Sequence, residues 1–370
     1  MNILHFSPVK NWGGGGNHIE NLCYELSLSN PEVKNIIVVA KNGRFHERLE
    51  KSNLNFATVP LSFNLDPRAI RKFIRLCKTE KIDIVHLHGS TALTLAVIAS
   101  RIAKLPPFVF SKKTMFPIKE RKRTLYKYNH PHIKKILCVS EAAKEVTAKA
   151  IIDKNKLVTI YHGTRIDNKS TVTPYYLREK LNIPVGNKII GHIGNHIPAK
   201  DIDTWISAIA HLYNQKGRKH ITFVQFGSFS DKTLQLKDKI NQLGLENIVH
   251  FIGFMENASN FMAQFDIFTI SSKSEGLPQV IYEAAWHKVP VASTNVGGIP
   301  EFIESNYNGL LSEREDALTL AENIEKLLDD PKLGLLFAGR SYNKLKPPFT
   351  AEAMANATLQ VYRKVLDEKE

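Results

Sequence analysis

The sequence predicts two doubly wound α/β domains, each a parallel sheet with helices on both faces. Three observations predict it. The chain has 370 residues, enough for two cores at roughly 100–200 residues per domain. Short β-rich apolar runs alternate with amphipathic helical segments, the pattern of parallel sheets. The alternation then restarts after residue 185, behind a polar stretch at 163–187 interrupted by Pro174 and Pro184.

The first-half strands read, in order, as "NILHF", "NIIVVA", "NFATVP", "DIVHLH", "PFVFS", "KILCVS" and "LVTIYH". Helical patterns such as "HIENLCYELSLS" and "DPRAIRKFIRLCKTE" lie between them. The second series is "KIIGHIGN", "ITFVQFG", "IVHFIG", "DIFTIS" and "VPVAST". The C-terminus is helical through "DALTLAENIEKLLDD" and "AEAMANATLQVYRKVLDEKE". This gives domains at 1–170 and 171–350, with 351–370 as a terminal helix. Ligands of such sheets bind beyond the carboxyl ends of the strands. Two such domains facing each other would place those edges across one cleft.

Composition narrows the class. A 43% hydrophobic fraction excludes a disordered chain. "MNILHFSPVK" has neither a basic start nor a long apolar segment and reads as a buried strand rather than a secretory signal. The longest apolar stretch, "TALTLAVIASRIA", is too short and interrupted to span a bilayer. Cys23, Cys77 and Cys138 form no ligand spacing, so a reducing cytoplasm is the simplest location. Charge is unevenly divided. Residues 1–170 hold 29 Lys+Arg and 13 Asp+Glu, a net of +16, and the rest hold 21 and 23, a net of −2. Residues 101–135 carry eleven cations and one acid, Glu120. A solvated face accounts for ordinary charge runs, but this asymmetry favours an anionic partner: nucleic acid, a phospholipid surface or a phosphorylated glycan.

Four stretches suit chemistry. Gly13, Gly14, Gly15 and Gly16 follow the first strand and precede a helix, where backbone amides attract phosphate. Their spacing fits neither the dinucleotide fingerprint nor the P-loop, and a flexible turn accounts for them equally well. Lys200 stands at an expected helix start, where a cation opposes the helix dipole and a bound anion would compensate. In "SEGLPQVIYEA", Leu277-Pro278 would begin a helix, with Pro in its first turn, and Gly276 and Leu277 would present amides to an anion. Glu283 would then lie about 9 Å along the axis from Leu277, poor geometry for two carboxylates acting on one atom. The offset of Glu275 from Glu283 suits two grips on an extended ligand. Gly297-Gly298, in "VASTNVGGIPEFI", form a further loop after a strand. Metal signals are weak. His86 and His88 alternate along a strand and are expected on opposite faces, His192 and His196 flank a strand end, and no required metal is expected.

With these residues in place, the chain resembles the retaining, GT-B-fold glycosyltransferases of family four, also called group 1 glycosyltransferases, of the bacterial cell-surface polysaccharide type. The resemblance rests on the N-terminal glycine loop, "VSEAAKEV", "SEGLPQVIYEAAWHKVPVASTNVGGIPEFI" and "NGLL", and is strongest over 266–311. It implies two Rossmann-like domains and a UDP- or GDP-sugar donor as substrate, with no required cofactor. Glu275 would hold sugar hydroxyls and Glu283 the ribose. Gly276, Leu277 and Lys200 would bind the diphosphate, with Gly13, Gly14 and Gly15 reaching it from the first domain. Gly253, Phe254 and Met255 would lie near the nucleobase. Two positions depart from the family pattern. Asn195 stands where an Arg is frequent, and Ser111-Lys112-Lys113 where a catalytic His is frequent, so Lys113 or Lys112 would contact the donor or an anionic acceptor.

The expected activity is transfer of a sugar from a nucleotide-sugar to an acceptor hydroxyl. Glu275, Lys200 and Lys113 would be the catalytic group, and domain closure would exclude water. The basic first domain points to an anionic glycolipid or glycan acceptor at the cytoplasmic membrane face, as in lipopolysaccharide or capsule synthesis, with residues 101–135 on the membrane. Rival readings are a nucleotide-sugar epimerase or phosphorylase, an inactive relative, and a basic nucleic-acid-binding protein. No recognisable nucleic-acid module supports the last.

Overall fold

The computed structural model describes residues 1–63, 65–166 and 169–368. Asp167 and Asn168 of the expected connection, and Lys369 and Glu370 of the terminal helix, therefore lie outside the described residues. The chain divides into two compact units, Met1–Arg165 with Pro347–Glu370, and Ile166–Lys346.

The N-terminal unit holds seven strands: β1 (Asn2–Ser7), β2 (Lys34–Ala40), β3 (Phe56–Val59), β4 (Ile84–His88), β5 (Phe108–Lys112), β6 (Ile133–Cys138) and β7 (Leu157–Thr159). Their order is β3-β2-β1-β4-β5-β6-β7, and every pairing is parallel. The order reverses between β1 and β4, so the ligand-binding crevice of this doubly wound sheet is expected outside those two strand ends. Alternate residues pack opposite faces. Leu4, Phe6, Val85 and Leu87 join a core with Phe73 and Leu93 of the helices Pro67–Thr79 and Ser90–Ala99. Ile3, Ile84 and Val109 face the other way. There they meet Leu22 and Leu26 of helix Gly14–Ser29, and Met354, Leu359 and Tyr362 of helix Ala351–Asp367.

Local sequence explains the helix ends. Asp66 caps helix Pro67–Thr79 by accepting the Arg68 amide at 3.0 Å, and Pro67 fills the first helical position. Ala69, Ile70, Phe73 and Cys77 recur at helical spacing and are buried, which leaves Arg71, Lys72 and Arg75 exposed. Thr350 caps the terminal helix through the Ala353 amide at 3.2 Å.

The C-terminal unit holds β8 (Lys188–Ile193), β9 (Ile221–Phe226), β10 (Val249–Gly253), β11 (Ile267–Ile270), β12 (Val291–Thr294) and β13 (Leu310–Ser312). The order β10-β9-β8-β11-β12-β13 is again wholly parallel, with its reversal between β8 and β11. Ile190, Trp205, Phe223, Ile267, Ala292 and Ile324 form one core. The fully buried Trp205 keeps its indole N–H paired, 2.9 Å from Thr269 Oγ1. Strand β13 was not among the sequence expectations, because three residues are too few to show a period.

Candidate functional site

In the C-terminal unit, the loops after β8, β11 and β12 are stitched together at the reversal of strand order. Ser271 Oγ donates to the Lys200 carbonyl at 3.0 Å, and the Lys273 amide to the Ala199 carbonyl at 2.9 Å. Thr294 Oγ1 donates to the Ser272 carbonyl at 2.7 Å, and the Gly298 amide to the Gly276 carbonyl at 2.9 Å. This frame sets Lys200 Nζ 2.6 Å from Glu275 Oε1, which also accepts Ser272 Oγ at 2.7 Å. Both side chains are largely buried, at 21% and 12% exposure, so each offsets the other's desolvation.

Two expectations about this region are corrected. Lys200 ends a 3₁₀ turn, Pro198–Lys200, and the following helix starts only at Ile202. Asp201 between them adopts φ +47, which breaks the run. The helix after Glu275 spans Gln279–Trp286, with Pro278 at its N-cap rather than inside its first turn. Pro278 has ψ 129, extended backbone, so Gly276 and Leu277 belong to the approach and not to the helix.

Glu283 lies in that helix and is buried, paired with Lys169 Nζ at 2.8 Å. Lys169 carries no motif in the sequence, and only the fold brings it to this carboxylate. One turn further on, burial holds the His287 ring down at about 4, against the pull of Glu283. At the end of β10, Gly253 takes φ +87, and its carbonyl accepts the Gly227 amide at 2.9 Å. The Phe229 ring stands 3.4 Å from where a Gly253 Cβ would be, and Phe254 is exposed beside a partly buried Met255. Asn195 Oδ1 accepts the Ser228 amide at 2.8 Å, so this carbonyl ties two loops.

In the N-terminal unit, the glycine run does not precede its helix but opens it. Helix Gly14–Ser29 has Gly13 at its N-cap. A Cβ on Gly13 or Gly14 would meet nothing within 4 Å, whereas one on Gly16 would strike the Trp12 ring at 2.7 Å. Lys113 follows β5 and places Nζ 3.2 Å from the Gly15 carbonyl and 3.4 Å from His88 Nδ1. Lys112 points elsewhere: its amine donates to the Phe116 carbonyl at 2.6 Å and Thr114 Oγ1 at 3.0 Å. These two lysines are thus taken out of the exposed basic run at 101–135. Burial lowers Lys113 to about 7 and Lys112 to about 8.

His86 and His88 are not on opposite faces. Residues two apart on a strand share a face, and their ring centroids are 4.0 Å apart. His5 of β1 joins them, and one nitrogen from each of the three lies within 4.8 Å of the others. Their ring nitrogens are hydrogen-bonded within the protein, to Asn35, Ser111, Tyr362, Lys113 and one another. These bonds account for the cluster without an ion. His18 packs at its edge, 6.1 Å from His88 and 4.7 Å from His162. Its Nδ1 is buried and has no hydrogen-bond partner among the described residues. Burial lowers His5 to about 4 and holds His18, His86 and His88 well below the ordinary histidine range. The sequence reading passed over His5 and His18, which lie within the first strand and the helix after it and stand in no spacing pattern.

With both strand-order reversals carrying convergent polar groups, the similarities to known proteins are informative. The family described as Glycosyltransferase Family 4 matches residues 12–168, and that described as Glycosyl transferases group 1 matches residues 176–343. An N-acetyl-alpha-D-glucosaminyl L-malate synthase of Bacillus anthracis is 25% identical over 307 residues, covering 80% of this chain and 79% of that protein. An Escherichia coli UDP-Gal:alpha-D-GlcNAc-diphosphoundecaprenol alpha-1,3-galactosyltransferase is 24% identical, covering 85% and 84%. An Anabaena protein solved in complex with UDP-glucose superposes with a TM-score of 0.86 at 21% identity, covering 98% of this chain and 100% of that one, and so shares the fold. The chain belongs to the group 1, family 4 glycosyltransferases.

Proposed function

We propose that the protein transfers a hexosyl group, with retention and without a metal ion, from a UDP- or GDP-sugar to a hydroxyl of an anionic glycolipid or glycan in cell-surface polysaccharide synthesis. The carrying observation is the Lys200–Glu275 pair at the reversal between β8 and β11. A carboxylate that also accepts Ser272 is fixed in place to accept sugar hydroxyls. The lysine at 2.6 Å from it can turn to the departing diphosphate. Glu283, held by Lys169, takes the ribose hydroxyls. Gly276 and Leu277 approach the phosphates through their backbone, and Gly253, Phe254 and Met255 flank the base. Asn195 holds the neighbouring loop. In the N-terminal unit, the open side of Gly13, Gly14 and Gly15 beside Lys113 receives phosphate, and the unpaired His18 Nδ1 supports a ligand there.

In the reaction the bond from the anomeric carbon to the phosphate oxygen breaks. A bond to the acceptor oxygen forms on the same face, and the acceptor proton passes to the departing phosphate. Named relatives support the acceptor class, since one acts on a diphosphoundecaprenol-linked sugar. Among the described residues no helix is long and apolar enough to cross a membrane. Peripheral contact with the cytoplasmic face is supported by exposed Lys119, Arg121, Lys122 and Arg123 beside Phe116, which is 60% exposed. The deciding experiment is sugar transfer from a panel of nucleotide-sugars in EDTA, with anomer analysis of the product. An inverted linkage, or turnover that requires added metal, would sink the corresponding part of the proposal.

A further inference from the structure

The histidine cluster under the glycine loop contains a chain whose proton order is fixed by its ends. Asn35 Nδ2 faces two oxygens, Ser27 Oγ at 3.3 Å and the Val33 carbonyl at 3.5 Å. A carbonyl only accepts, so the amide nitrogen is on that side and Asn35 Oδ1 faces His5 Nε2 at 3.1 Å. That oxygen also only accepts, so His5 carries its proton on Nε2. A neutral imidazole has one N–H, which leaves His5 Nδ1 as an acceptor. Its neighbour, His88 Nε2 at 3.2 Å, must then be the donor. His88 Nδ1 is left as an acceptor, and the group facing it at 3.4 Å is Lys113 Nζ. The second partner of Lys113, the Gly15 carbonyl at 3.2 Å, also accepts. The order Lys113 to His88 to His5 to Asn35 is the one arrangement that satisfies every member.

We propose that His88 and His5 are positioning residues, which hold the Lys113 amine as a donor with one fixed corner left over for a phosphate at the glycine loop. The chain occupies two of the three nitrogen positions beyond the side chain. The third is an N–H in the ammonium form and a lone pair in the neutral amine. A Cβ on Gly15 would stand 3.9 Å from Nζ, so the amine lies beside the open side of the glycine run. The phosphate contact rests on the nucleotide-sugar reading above, whereas the order of the chain does not.

The chain is an anchor and not a wire. A proton pushed from Lys113 would stop on His5, because Asn35 cannot take it further, and would leave a buried imidazolium. Burial opposes that charge, holding His5 down at about 4. The other titratable groups around the amine give it no counter-charge. His18 lies on the first helix, His86 on β4 between Ser111 and the Tyr362 hydroxyl of the terminal helix, and His162 beyond β7. Burial holds His18 and His86 well below the ordinary histidine range, and the Lys113 charge pushes them the same way, so neither carries a charge that could balance the amine. Burial brings Lys113 to about 7, so an incoming phosphate draws a proton onto it at mildly basic pH.

Two measurements test this. Long-range ¹H–¹⁵N spectra of the full chain labelled at histidine, at pH 8, should show His5 and His88 both as the Nε2–H form. An Nδ1–H form or an imidazolium at either would overturn the chain. So would stoichiometric Zn²⁺ binding at these rings, which would put a metal where the proton belongs. Calorimetric titration with UDP and with GDP at pH 8, in buffers of different ionisation enthalpy, should show uptake of about one proton per nucleotide bound. Uptake should vanish in Lys113→Met, fall in His88→Phe and be restored in His88→Asn, whose amide oxygen replaces the acceptor. Undiminished uptake in Lys113→Met would overturn the phosphate contact. If neither nucleotide binds, the nucleotide reading fails, and the histidine spectra still decide the chain.

Discussion

Lowering the pH from 7 to 5 should weaken the N-terminal unit, and the loss should come from its buried histidines. His5 has no exposed surface, and burial takes it from 6.5 to about 4. The unfolded chain therefore binds a proton at higher pH than the folded one, and stability falls as pH drops from 6.5 towards 4. One such shift is worth about 2 kcal/mol at pH 5 and about 3 kcal/mol in full. His18, His86 and His88 are shifted the same way. Because they share one cluster, their contributions will not add as independent sites. The assay is urea unfolding followed by ¹⁹F NMR of protein containing 5-fluorotryptophan. Trp12 reports the N-terminal unit, and Trp205 and Trp286 report the other. The His5 share alone should lower the Trp12 midpoint by about 1 M between pH 7 and pH 5. His5→Gln keeps a donor for Asn35 and removes the titration, so it should start less stable and lose less on acidification. Equal Trp12 midpoints at the two pH values, or an unchanged pH slope in His5→Gln, would refute the reasoning.

Three further outcomes follow from the C-terminal unit and the basic face. Glu275→Gln keeps the shape that accepts Ser272 but removes the charge paired with Lys200, and kcat should fall at least about 100-fold in a folded enzyme. Normal turnover in that variant would reject its place in the chemistry. Lys169→Met leaves Glu283 buried without its partner and should cost about 3 kcal/mol of stability, with a raised KM for the donor. A wild-type melting curve and KM would show that the pair is dispensable. Replacing Lys119, Arg121, Lys122 and Arg123 by Gln should weaken binding to vesicles with 30% phosphatidylserine while leaving the melting temperature unchanged, since all four are exposed. Vesicle binding that is insensitive to both these changes and salt would place the membrane contact elsewhere.

Much of the fold was legible because its signals are local. Parallel strands buried on both faces read as apolar runs, and "NILHF", "DIVHLH" and "ITFVQFG" fall on β1, β4 and β9. Caps such as Asp66 and Thr350 are visible in the chain as residue types before a helical period. Glu283 stood out for a similar reason, since a carboxylate in an apolar helical run is unusual, and Glu275 stood out by its place in the local strand-loop-helix order; the part each takes in the reaction belongs to the proposal.

What the sequence could not reveal is who meets whom across the fold. Lys169 reaches Glu283 over 114 residues of chain, and Tyr362 reaches His86 over 276. The helix starts at Gln279 rather than Leu277, because Pro278 is extended at ψ 129 and the Gly276 carbonyl is taken by the Gly298 amide across the loop. The sequence by itself determined the two α/β units, the basic first half and the carboxylates of the second, since periodicity and composition are properties of neighbouring residues. Only the tertiary structure decided that Lys112 turns inward to its own loop while Lys113 meets Gly15 and His88. Strand order places β1, β4 and β5 side by side, and the hydrogen-bond partners gathered there, not chain position, fix which nitrogen carries each proton.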